Sequence, residues 1–251
     1  EKNNTIPARP SRAADDNEYY EKLIEKLQKL KVQKLEHKVL ENIMYVCDLC
    51  ELKPEGWKNE CKETLDLIKS DAFQQIDIFK YASLLIFFAN FLTAHSIYDN
   101  AEELYVEALD IYKEYLDKNR ENINYLYDII SIQDSLVELY NDYHKHKQAI
   151  NIANQSIDFI SNHSAVIGDD VRFLNVKVEL LHSLAIASHY LHYNDDSIKY
   201  CEQIIDLFQT IGTTNPIKLI DIYIHMVGIY AYNKEDVNKA ISLMRDAETI
   251  A

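Results

Sequence analysis

The sequence predicts an all-α protein made of successive helical hairpins, and three observations point there. Apolar residues recur at three- and four-residue steps almost without interruption from Asn17 onward, the period of a helix with one buried face. Only 4 Gly and 4 Pro occur in 251 residues, too few to turn the corners of a sandwich, barrel or doubly wound sheet. A small-large-small side-chain pattern also returns along the chain, the mark of an array rather than a single closed bundle. With 47% apolar and 27% charged residues, the composition is that of a chain with ample core.

The elements follow in order. Residues 1–16, with Pro7, Pro10 and Ser11, read as a flexible tail. Residues 17–251 read as one helical repeat domain, degenerate to about residue 72 and clearer over 73–251. From Asn17 to Lys34, Tyr20, Leu23, Ile24, Leu27 and Leu30 share one face, with Glu and Lys between them. A second helix spans about 35–52 and is broken by Pro54 and Gly56. Further helices are predicted at about 57–70, 73–95, 99–118, 121–144, 147–162, 169–193, 196–211, 216–233 and 236–251. Their breaks carry Tyr98-Asp99-Asn100, Gly168-Asp169-Asp170, Asn194-Asp195-Asp196, Gly212 and Asn215-Pro216, where Asp and Asn can accept bonds from the first free N–H groups of the next helix. No segment reads as a strand.

Charge and chain chemistry narrow the function. Against 26 Lys and Arg stand 41 Asp and Glu, a formal charge of −15. That balance argues against nucleic acid and anionic membrane as partners, since phosphate contacts need clustered cations. The longest apolar run, Leu84 to Ala89, is far short of the ~18 residues of a membrane span. Four cysteines in so long a chain do not form a disulfide framework, and with no secretory leader in view the expected compartment is the cytoplasm. The helical pattern is still running at Ala251, which leads to the expectation of a longer full-length protein.

The repeat is clearest in Tyr98 to Leu109, where Ala101, Tyr105 and Ala108 give small, three residues, aromatic, two residues, small. Phe88-Ala89 and Leu92 supply the matching first helix. Leu136-Val137 and Tyr140 precede Ala149. Leu184-Ala185 precedes Ser197, with Cys201 and Ile204 in the later slots. Val227-Gly228 precedes Ala240, Met244 and Ala247. With a degenerate copy at Cys61, the small slots fall at 61, 101, 149, 197 and 240, spaced by 40, 48, 48 and 43 residues. This pattern resembles the tetratricopeptide repeat, particularly the longer-period repeats of kinesin light chains. The resemblance implies a right-handed α-α superhelix whose first helices line a concave face, and a non-catalytic module that binds protein.

Under that resemblance the concave candidates are Asn90, Asp134, Glu138, Asn141, Glu179, His182, His189, Tyr190, His225 and Tyr232, a set without Lys or Arg. A clamp for a partner's C-terminal carboxylate is disfavoured, and a basic or amphipathic peptide or helix is the expected occupant. His182, His189 and His225 suggest pH-sensitive binding near the intrinsic histidine pKa. The alternative reading is a regulatory or sensor domain of a larger protein, fused to a protease or other effector. Oligomeric state leaves no mark in the sequence.

Metal and catalytic chemistry find little support. Cys47 and Cys50, with Cys61 and His37 nearby, sit on a helical pattern without the turn a zinc knuckle needs, and read as buried thiols. His144 and His146, and His189 and His192 followed by Asp195 and Asp196, read as polar turns rather than metal ligands. There is no phosphate-binding glycine loop and no nucleophile elbow, so neither enzyme activity nor a cofactor is expected.

Overall fold

A computed structural model describes residues 78–118, 122–211, 216–234 and 236–249, together with Asp66. The tail, the hairpins before residue 73 and Cys47, Cys50 and Cys61 lie outside the described residues. Among the described residues no strand occurs, and nine α-helices follow one another: α1 Ile78–Ala94, α2 Tyr98–Lys118, α3 Ile123–Asp142, α4 His146–Asn162, α5 Ser164–Ile167, α6 Val171–Tyr190, α7 Asn194–Ile211, α8 Pro216–Gly228 and α9 Val237–Glu248. A π-helical turn, Ile229–Asn233, extends α8. The predicted boundaries agree to within a few residues. The short α5 and the π turn have no counterpart in the sequence reading.

The chain divides into two compact units, Glu1–Tyr115 and Leu116–Ala251. In the first, α1 is apolar on nearly every side and is buried from Tyr81 to Thr93 except at Ser83. It pairs with α2 through Phe79, which packs on Tyr112 and Tyr115. The Tyr81 hydroxyl donates to Glu107 and the Tyr105 hydroxyl to Asn90. In the second unit, α3 pairs with α4, α6 with α7, and α8 with α9, while α6 also packs on α3 and α4, and α8 on α7.

The small slots do what hairpin packing requires. Ala101, Ala149, Ser197 and Ala240 are all buried, each near the start of the second helix of its pair. The turns before three of them are copies of one another. Ser96, His144 and His192, 48 residues apart, hold left-handed φ values of 62°, 57° and 63°. Each ends its helix with the same two bonds. Ser96 N–H donates to Thr93 O and Ile97 N–H to Leu92 O; His144 and Lys145 repeat this on Asn141 and Tyr140, and His192 and Tyr193 on His189 and Ser188. That is a helix stop of the kind glycine usually supplies, here made without glycine. In the fourth pair the chain instead enters the π turn, with Lys234 N–H on Ile229 O and Asp236 N–H on Tyr230 O. The closing spacing of 43 arises before this turn: Gly228 precedes Ala240 by the same 12 residues that separate Ala89 from Ala101, but it follows Ser197 by 31 residues where Val137 follows Ala101 by 36.

Two expectations are revised at residue level. Gly228 occupies a small slot, yet a Cβ built there would meet nothing within 4 Å, so close packing does not require glycine. Tyr105 turns its hydroxyl inward to Asn90 rather than toward solvent or a partner.

Candidate functional site

The first helices of the second unit set the site. Asn122 caps α3, accepting from the N–H groups of Asn124 and Tyr125. Asp170 caps α6, accepting from Arg172 N–H at 2.9 Å, and its carboxylate also pairs with the Arg172 guanidinium at 2.7 Å. That guanidinium holds the Asp170 carboxyl below the usual range. Arg172 also donates to Asn124 and lies over the Tyr127 ring at 4.9 Å, tying α6 to α3.

Asn141, at the end of α3, donates to Ser183 O of α6 at 3.2 Å and pairs through Oδ1 with His146 Nδ1 at 3.2 Å. The same link recurs 48 residues on with its partners exchanged, His189 Nδ1 meeting Asn194 Oδ1 at 3.2 Å. His146 is buried and stacks on Tyr190 with ring centroids 4.6 Å apart and planes 4° from parallel. Burial, aided by neighbouring His144, lowers the His146 pKa. Tyr190 remains 59% exposed, so the stack presents a flat aromatic surface.

A cation that the candidate set did not include meets two of its members. Lys218 of α8, itself buried, donates to Glu179 Oε2 at 2.6 Å and to His182 Nδ1 at 2.9 Å. The Glu179 carboxylate is therefore paired. A buried ammonium needs such partners, and α8 reaches α6 through it. Lys218 lies two turns before His225 on α8, so extending the candidate spacing backward along that helix finds it.

His225 is held as firmly. The Ser197 hydroxyl donates to Ala185 O at 2.7 Å, so its oxygen accepts from His225 Nε2 at 3.0 Å. This orientation is the reverse of the one in which a histidine activates a serine nucleophile. His189 meets His225 edge to face at 5.3 Å. Burial first, then Lys218 and His225, push the His182 pKa down to about 3. Burial first, then His189, push His225 down to about 4. Both are neutral at physiological pH, so neither supplies the switch near pKa 6.5 that the sequence suggested. Burial likewise pushes the Cys201 thiol up to about 12, and it fills its slot as a small apolar residue.

The other candidates are spread along these helices. Asn90 is buried in the first unit. Asp134 and Glu138 lie half-buried one turn apart on α3, and Tyr232, in the π turn, is highly exposed. Among the described residues, no group of three or more His, Cys, Asp or Glu side chains is placed to hold a metal ion. None of their helices is long and apolar enough to cross a membrane.

Solved structures share this architecture. The chain is similar to BtubC (BKLC) from P. vanneervenii, with TM-score 0.56 and 16% identity over 87% of this chain and 91% of that one. It is also similar to a Podosopora anserina putative kinesin light chain with nearly identical TPR-like repeats, with TM-score 0.56 and 13% identity over 85% and 94%. No family model matches the sequence. No curated protein matches it either. At such identities the likeness speaks to the fold, which is that of a TPR-like helical solenoid.

Proposed function

We propose that the chain is a non-catalytic interaction scaffold that holds a basic or amphipathic segment of a partner protein against the first helices of its second unit. The observation that carries this is the exposed Tyr190 ring, pre-set by its stack on His146. A fixed aromatic face loses little entropy on binding and attracts Lys and Arg through its π system. The chain's formal charge of −15 speeds the approach of a cationic segment. Repeat arrays use their concave faces in this way.

The test is a fluorescence-anisotropy titration with an amphipathic helical peptide carrying Lys and Arg on one face and Leu on the other, set against its acidic counterpart. The basic peptide is expected to bind and the acidic one to fail. Tyr190→Ser, and the double charge reversal Asp134→Lys with Glu138→Lys, are each expected to weaken binding at least about tenfold, a loss of about 1.4 kcal/mol. Equal binding by the reversed variant would sink the assignment.

A further inference from the structure

α8 meets α6 and α7 through polar bonds that depend on neutral imidazoles. Lys218 Nζ donates to His182 Nδ1 at 2.9 Å and to Glu179 Oε2 at 2.6 Å. An ammonium has only N–H groups to give, so Nδ1 accepts and the neutral His182 ring carries its proton on Nε2. A second proton must land on Nδ1. It removes the bond from Lys218 and sets two cations on one carboxylate. His225 is fixed in a similar way. Its Nε2–H goes to the Ser197 hydroxyl of α7, which is itself committed to Ala185 O. A second proton goes to Nδ1 and charges a ring that faces His189 of α6 at 5.3 Å. The other charges around α8 face elsewhere. Glu202 of α7 lies by Tyr230, Asp246 of α9 lies by Tyr223, and Asp195 pairs with Lys234 past the end of α8.

The preceding seam, between α3–α4 and α6–α7, is built differently. Tyr127 packs edge-on against Phe173 at 5.7 Å, Arg172 lies over Tyr127, and Asn141 donates to Ser183 O. Its imidazole, His146, donates from Nδ1 to Asn141 Oδ1 and stacks on Tyr190, and a charged ring keeps both contacts. We propose that the seam between α6–α7 and α8–α9 is an acid-operated latch: protons on His182 and His225 release α8 from α6 and α7 while the packing of α3, α4 and α6 persists. Docked, neither imidazole titrates near neutrality, so protons act by capturing the released form. Released, the rings return to the ordinary 6.5 from about 3 and about 4. The latch therefore holds above about 6.5 and loosens as pH falls below it. Each ring favours release about thirtyfold at about pH 5 relative to about pH 7.5, about a thousandfold together.

The test is amide hydrogen exchange of the 251-residue chain, read by mass spectrometry and corrected for the pH dependence of exchange itself. From about pH 7.5 to about pH 5, protection in α8 is expected to fall at least about a hundredfold, and in α3 and α4 by less than about tenfold. His182→Gln and His225→Gln are each expected to shrink the fall in α8 by about thirtyfold. Lys218→Met leaves Glu179 to receive a charged His182, so it is also expected to shrink the fall. Unchanged protection of α8 in the wild type overturns the proposal. An equal fall across α3, α4 and α8 overturns it too, because the whole unit then unfolds at once. So does an undiminished fall in Lys218→Met.

Discussion

Acidification isolates the two buried imidazoles of the second unit. His182 faces Lys218, Glu179 and His225, and His225 faces His189, Ser197 and the Ala185 carbonyl. Their native pKa values, about 3 and about 4, lie below the ordinary value of 6.5 that the unfolded chain adopts. The unfolded state therefore binds more protons at mildly acid pH. Stability is fully present above about 6.5 and is lost as pH falls through that value toward the native ones. Going from about pH 7.5 to about pH 5 removes about 2 kcal/mol for each residue, about 4 kcal/mol together. Urea unfolding followed by far-UV circular dichroism measures this directly. His182→Gln with His225→Gln is the control, because Gln keeps an acceptor for Lys218 and a donor for Ser197 but does not titrate. The double variant is expected to lose most of the pH slope. A wild-type loss below about 1 kcal/mol over that range, or an undiminished slope in the double variant, would refute the burial argument.

Three further sets of substitutions test the packing by thermal and urea unfolding. Ser197→Ala is expected to cost about 0.5–1.5 kcal/mol, although the other three pairs use Ala in that slot, because it removes the hydroxyl that bonds both Ala185 O and His225; adding His225→Phe is expected to recover part of the loss. Gly228→Ala is expected to gain about 0.5–1 kcal/mol, since the site is helical and open. His192→Gly is expected to stabilise by about 1 kcal/mol by relieving a left-handed residue, whereas Gly168→Ala, at φ 55° and ψ −132°, is expected to destabilise by about 1–3 kcal/mol.

The fold was legible because it rests on periodicity and side-chain size. Ala101, Ala149, Ser197 and Ala240 could be aligned from sequence alone, and each is buried at the same point of its pair. The site was less legible because register says which side of a helix a residue occupies but not what crosses to meet it. Asn90 was placed on the correct helix, yet its amide faces Tyr105. Glu179 is legible in sequence as an acidic candidate, but its partner Lys218 comes from a helix 39 residues on. His225 and Ser197, 28 residues apart, gave no local signal of their bond. The π turn was hidden because its residues, Ile229 to Asn233, continue the apolar spacing of α8 unbroken.

The exchanged His–Asn links bear on how a near-repeating chain finds its proper partners. Asn141 with His146 and His189 with Asn194 are the same contact written in opposite order. Each link joins residues five apart across a left-handed turn, so it closes as soon as that turn forms and needs no distant helix. Hairpins latched locally in this way favour return on the adjacent helix over pairing with a look-alike helix further along the chain.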